Sequence, residues 1–297
     1  MRKFRIGRHI DASWNFVSAP EDAHHMGCNI MQIFLANPQQ TRTKAKSEKQ
    51  LLEFSHQLAL NKLKLVIHGN YTINLCHPIN SLKFKSSIIL LVKDLDASSI
   101  IGKRCIGVII HMGKNMKVND INDEAAAKNY VTGLKIALAQ TDAKSTIILE
   151  TGAGQGNEIG TNLNILSSIY WSLEDDERKR IKFCIDTCHI WAAGYDISDK
   201  SKAGTFFKMF EKIMGPNKIA CFHYNDSKTE LGSHVDRHAD IGYGKIPIAG
   251  LVAIAKYAFK HRIPLILETP LDTVNLKTNK DITFKDELSK INFFLTN

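Results

Sequence analysis

Nine histidines and carboxylates between residues 68 and 268 fall almost entirely at the ends of short apolar runs: His68, His111, Glu150, Asp186, His189, His223, Asp236, His238 and Glu268. Neutral imidazoles and carboxylates are the ligand types of zinc and related divalent ions. Five imidazoles and four carboxylates exceed what one ion needs. The set therefore points to a cluster of divalent metals and to metal-assisted chemistry on an oxygen-rich substrate. One histidine after an apolar run is more often a hydrogen-bonded core residue than a ligand, and His68 and His111 are each ambiguous alone. Glu150 in IILETGAGQG and Glu268 in LILETP are harder to explain that way. A carboxylate that ends an apolar strand is costly to bury unless a cation or a donor answers it. Asp236 and His238 are two apart in GSHVDRHADIGYG, where an extended backbone turns both side chains to one side. Asp186 and His189 in CIDTCHIWAAGYD are three apart, so a turn after the strand brings the histidine back over the same place.

Residues so far apart need a scaffold that gathers them. Apolar, strand-like runs occur at 4–10, 30–35, 64–68, 105–111, 146–150, 182–186, 219–224 and 264–268. Segments with helical spacing follow at 15–26, 48–60, 82–101, 124–139, 163–173, 203–214, 248–259 and 284–294. Strand followed by helix, eight times over, is the repeat of an α/β fold, the (β/α)8 TIM barrel, which typically needs about 250 residues. Such a barrel collects the C-terminal ends of all its strands at one mouth, and the metal site is expected there. No linker divides the chain, so residues 1–297 read as a single domain, with extra loop at 225–245 before the last strand.

Composition narrows the class further. No apolar run approaches the roughly 20 residues of a membrane span, so no membrane partner is expected. The start, MRKFRIGRHI, is basic without an uninterrupted apolar stretch, so no secretion signal is expected. Six cysteines, several inside apolar runs, read as reduced thiols in an intracellular, reducing compartment. Cys184 and Cys188 are four apart with no second pair, a poor zinc-knuckle spacing. A net charge of +9 fits a polyanionic partner. The glycine-rich piece Gly152–Gly156 lacks the order of a nucleotide cradle and is better explained by close backbone approach to a bulky ligand.

The strings HGNYTINL, LETGAGQG, CIDTCHIWAAGYD, HYNDSK, GSHVDRHADIGYG and LETP, in this order, resemble the signatures of the endonuclease IV family of apurinic/apyrimidinic endonucleases. The resemblance runs nearly end to end, from about His9 to the last helix. It implies a zinc-dependent barrel that cuts the DNA backbone 5′ of an abasic site, leaving a 3′ hydroxyl and a 5′ deoxyribose phosphate. It also implies trimming of blocked 3′ ends, as part of base excision repair. By position it implies three zinc ions, with manganese as a substitute at carboxylate-rich places. His68 and His111 would hold one and share Glu150 as a bridge to the second. Asp186, His223 and Glu268 would complete the second, and His189, Asp236 and His238 would hold the third. Glu150 would also steer the attacking water.

The partner implied is double-stranded DNA carrying abasic or 3′-blocked lesions, and a monomer is expected. Loops at the mouth would bend the duplex and fill the gap; the candidates are the loop 36–44, with Gln39, Arg42 and Lys44, and Tyr71 after the third strand. The chain departs from the family pattern in Gln39 and Gln40 where an arginine is common, and in HGNY for His-Ala-Pro-Tyr. Met112 stands for proline and Gly152 for threonine. None of these removes a ligand. The alternative reading is a metal-dependent sugar isomerase or epimerase on a related barrel, which needs only one or two metals and has little use for Asp236, His238 or a basic surface.

Overall fold

The structure, a computed structural model, describes residues 4–42, 44–116, 122–275 and 279–296. Eight parallel strands close a barrel: β1 (Ile6–His9), β2 (Ile30–Ile33), β3 (Lys64–His68), β4 (Cys105–Ile110), β5 (Ile147–Glu150), β6 (Ile181–Asp186), β7 (Ile219–His223) and β8 (Leu265–Leu267). Each pairs with its sequence neighbours, and β1 closes on β8 with Ile6 opposite Leu265. Helices link them: α1 (Ala19–His25), α2 (Glu48–Leu60), α3 (Leu82–Ile101), α4 (Asp123–Ala139), α5 (Leu163–Trp171), α6 (Asp175–Lys179), α7 (Thr187–Ala192), α8 (Lys200–Met214), α9 (Ile248–His261) and α10 (Phe284–Thr296). This is the TIM barrel that the strand–helix repeat predicts. Among the described residues no helix is long and apolar enough to cross a membrane.

Alternation within each strand decides what faces inward. Ile30, Val66, Ile109, Ile148, Cys184, Cys221 and Ile266 form one wholly buried cluster, the plug of the barrel. Their neighbours Met31, Ile67, Ile110, Leu149, Ile185, Phe222 and Leu267 belong instead to the larger cluster shared with the helices. A strand's side chains repeat with period two, so the next inward position lies two residues further on. Those positions are Gln32, His68, His111, Glu150, Asp186, His223 and Glu268. Polar groups thus form a lid on an apolar plug, one from each of seven strands, with His9 ending β1.

The differences from expectation have local causes. The first helix starts at Ala19 rather than residue 15, because Pro20 occupies its first turn, where a fixed φ and a missing N–H suit the chain. The eighth helix starts earlier, at Lys200, because Asp199 accepts from the N–H groups of Ser201 and Lys202. Two short helices escape the spacing: α6, held by a reciprocal cap between Glu174 and Glu177, and α7, capped by Asp186. The loop 225–245 contains a two-stranded antiparallel ribbon that pairs Asp226–Ser227 with His238–Ala239.

Candidate metal centre

Glu150 sits at the middle of the polar lid and is buried. Four imidazoles surround its carboxylate. His223 Nδ1 is 2.7 Å from Oε1, His68 Nε2 is 3.5 Å and His111 Nε2 3.6 Å from Oε2, and His189 Nδ1 is 3.6 Å from Oε1. Burial works against its ionisation, yet His223 and His111 overcome it and hold the carboxyl well below the usual range.

The nine sequence-selected groups converge, and their ligand atoms fall into three groups in which all lie within 4.8 Å of one another. One is His68, His111 and Glu150; the second is Glu150, Asp186, His223 and Glu268; the third is His189, Asp236 and His238. In the second, His223 Nδ1 is 3.2 Å from Glu268 Oε2 and 3.8 Å from Asp186 Oδ2. In the third, Asp236 lies between two imidazoles, 3.2 Å from both His189 Nε2 and His238 Nε2. Asp186 also approaches His238 Nε2 at 3.6 Å, which ties the second group to the third.

Elements explain the placement of the later residues. Asp186 Oδ1 accepts the His189 N–H at 2.8 Å, so the cap that starts α7 also swings His189 back over the mouth. The sequence predicts a turn there, and the chain makes a helical one. Asn225 donates to Asp186 Oδ2 at 2.8 Å, fixing the other oxygen. The short ribbon carries His238 inward, and Asp236 lies on the same side two residues before it.

The donor set fits divalent ions on its own geometry. His111 Nε2, Glu150 Oε2, His189 Nε2 and His238 Nε2 are buried atoms without a hydrogen-bond partner among the described residues. Such atoms cost roughly 1–3 kcal/mol each unless something answers them. On three of the rings the opposite nitrogen is already engaged. His68 Nδ1 meets Gly69 O at 2.8 Å, His189 Nδ1 meets Thr151 O at 2.7 Å, and His238 Nδ1 meets Glu268 O at 3.3 Å. Donation to a carbonyl keeps the proton on Nδ1 and leaves the Nε2 lone pair facing the site. His223 is reversed: its Nε2 meets Gln32 Oε1 at 2.8 Å and its Nδ1 faces the carboxylates. Cys188 also comes within reach of Asp186 and His238, but burial pushes its thiol up to about 12, which makes it a poor ligand.

Gln32 and His9 are functional neighbours that the sequence reading passed over. Gln32 donates to Glu268 Oε1 at 2.6 Å and lies 3.1 Å from His9 Nδ1 while accepting from His223. Burial brings His9 down to about 4, so its Nδ1 is a neutral acceptor. The signal was available: Gln32 is a polar residue two positions after Ile30 within an apolar run.

Tyr71, half exposed, leans edge-on against Phe34, His68 and His111 at the mouth, with ring centroids 5.0, 5.6 and 5.9 Å away. The main cavity, about 880 Å³, is lined by Tyr71 together with ligand-type residues from all three groups. Gln39 lines an adjoining groove of about 560 Å³. Arg42 is exposed and lines neither; Lys44 is exposed and faces a separate cleft against α3. Thr43, in the same loop, lies outside the described residues.

The departures from the family pattern find physical partners. Asn70 of HGNY donates to Asn37 O at 3.0 Å and Gln40 O at 2.8 Å, clamping the loop after β2 to the loop after β3. Met112 is buried against Gly160, where a Cβ would come within 2.0 Å of its Cγ. Gly152 makes room for the Glu158 carboxyl, which a Cβ would approach to 2.5 Å.

Comparison with known proteins gives a consistent answer. A family profile described as a xylose isomerase-like TIM barrel matches residues 20–288. "Putative endonuclease 4" of Acanthamoeba polyphaga mimivirus is 55% identical over 291 residues, covering 98% of this chain and 93% of that protein. The crystal structure of endonuclease IV from Thermus thermophilus superposes with a TM-score of 0.80 at 25% identity, covering 98% of this chain and 99% of that one. A D-tagatose 3-epimerase-like protein superposes at 0.70 with 15% identity over 98% of both chains, which shows the barrel alone. The chain belongs to the endonuclease IV family of apurinic/apyrimidinic endonucleases.

Proposed function

We propose that this chain is a metal-dependent phosphodiesterase of base excision repair that incises duplex DNA 5′ of an abasic site, leaving a 3′ hydroxyl and a 5′ deoxyribose phosphate, and that trims blocked 3′ ends. One observation carries the reading: imidazole nitrogens and carboxylate oxygens from the ends of six strands, from α7 and from the loop 225–245 face one another in three groups, several without a hydrogen-bond partner among the described residues. Zinc suits this mixed nitrogen and oxygen set, three ions per chain match the three groups, and manganese could share the carboxylate-rich one. Bound there, such ions supply charge neutralisation at a phosphoryl group and a nucleophile from water at neutral pH.

The chain's own residues supply the rest. Glu150 joins the first two groups, and Asp186 links the second to the third. Gln32 and the Gly69 and Thr151 carbonyls hold the rings in one orientation. A cavity of about 880 Å³ admits an extruded sugar-phosphate, and extrusion costs least where the base is already lost. The +9 charge supplies attraction to a duplex. A sugar epimerase has no use for that charge, nor for the third group built by Asp236 and His238.

The direct test is incision of a duplex bearing one tetrahydrofuran abasic analogue. Cutting 5′ of the lesion is expected, and a duplex left uncut in every metal condition would overturn the reading. Affinity for that duplex should fall steeply with salt, on the order of 10³-fold between 50 and 200 mM if about six phosphates are neutralised. A flat salt response, measured by fluorescence anisotropy, contradicts a phosphate-dominated interface.

Gln32 gives a subtler expectation. Gln32→Ala removes the acceptor that orients His223 and a donor to Glu268. Loss of such a supporting partner typically weakens metal affinity by about 10- to 100-fold. Competition with a graded zinc chelator should show this shift with the barrel intact by circular dichroism; unchanged retention of metal counts against the assignment.

A further inference from the structure

Trp14 is 95% exposed, more than any other large apolar side chain among the described residues. It stands on the loop that leaves β1 at the mouth of the barrel. Its flanks are anchored. Ala12 and Phe16 are buried, Phe16 stacks on Phe54 with centroids 4.4 Å apart, and Lys46 Nζ lies 4.6 Å from the Phe16 ring centre. Asp11 accepts the Ser13 N–H at 2.8 Å, which tightens the tip. A loop fixed on both sides presents its indole instead of folding it away. Beside it runs the groove of about 560 Å³, walled by Ser13, Phe34, Gln39 and Lys46, which shares His9, Asp11 and Phe34 with the main cavity.

We propose that Trp14 is a positioning residue that stacks on a base of the duplex next to the abasic nucleotide. This rests on the nuclease reading above. The chemistry is direct: an abasic site leaves its neighbouring base with one free face, and an exposed indole at the rim of the mouth is a suitable platform. Lys46, already held against this loop, supplies positive charge for the adjoining backbone. Trp14 belongs to a different loop from Gln39 and Tyr71, so three consecutive strand-end loops line one side of the mouth.

The test uses the metal-loaded protein and the tetrahydrofuran duplex. Trp14→Ala should raise KM about tenfold, with kcat within about threefold of wild type, and Trp14→Phe should recover most of the loss. Stacking also quenches indole emission. The chain has three tryptophans, of which Trp191 is buried, so Trp171→Phe leaves Trp14 as the exposed indole that DNA can reach, over a constant Trp191 background. The lesion duplex should quench Trp171→Phe strongly and the double variant Trp171→Phe/Trp14→Phe little. Wild-type KM in an active Trp14→Ala protein, or equal quenching in the single and double variants, overturns the proposal while leaving the nuclease reading in place. A wild-type protein that leaves the lesion duplex uncut overturns both.

Discussion

Glu150→Ala should lower single-turnover incision of an abasic duplex by roughly 10³-fold or more. The carboxylate is the point that four imidazoles share, at 2.7 to 3.6 Å. Its removal takes one ligand-type group from two of the three clusters at once. Charge stabilisation of a transferring phosphoryl is worth several kcal/mol, and each 1.4 kcal/mol is a factor of about ten. Glu150→Gln keeps the shape and loses the charge, so it should be nearly as damaged. Either variant retaining activity within tenfold of wild type, with metal content unchanged, would remove Glu150 from the centre of the chemistry.

Stripping the protein with a strong zinc chelator should abolish incision and lower the melting temperature by about 10 °C, both restored by added zinc. Ions that bind only the folded chain stabilise it by about 4 kcal/mol at a thousand times their Kd, and a barrel of this size shifts by about 2–4 °C per kcal/mol. Without ions the carboxylates must find other positive charge. Burial opposes a charge on His223, but Glu268 and Glu150 raise it to about 10; Asp186 likewise helps raise His238 to about 9 against burial. Loading at neutral pH therefore displaces protons from these rings. Protons compete more strongly as pH falls, so the protein's own metal affinity, measured by dialysis without chelator, should be lower at pH 5 than at pH 8. Calorimetry in buffers of different ionisation enthalpy would reveal the proton release. Full activity and an unchanged melting curve after exhaustive chelation would sink the metal assignment.

Much of this site could be read from the letters because it obeys strand periodicity. Glu150, Asp186, His223 and Glu268 each follow an inward apolar residue by two, so run length and ending locate them. Asp236 and His238 were legible as a pair, though the ribbon that carries His238 was not. Its pairing with Asp226–Ser227 depends on a return across a long loop, which no local pattern encodes. Gln32 was hidden by the opposite problem: it sits within an apolar run read as extending to residue 35, whereas β2 ends at Ile33. The clamp from Asn70 to the loop after β2 joins residues 30 or more apart and was invisible for the same reason. Where a helix begins was legible only once caps were weighed, as Pro20 and Asp199 show.

The polar lid lies two steps above an apolar plug on seven of the eight strands, so the barrel's pleat acts as a phase that sets which groups face the mouth. Sliding any one strand by a single residue preserves its hydrogen-bonding capacity but sends its terminal group toward the helices. The outward residues are buried against the helices and are held by packing rather than by chemistry. What the chain must hold constant is parity, counted from Ile148 to Glu150 or from Val66 to His68, and the closed ring of eight neighbours enforces it by locking every strand against two others.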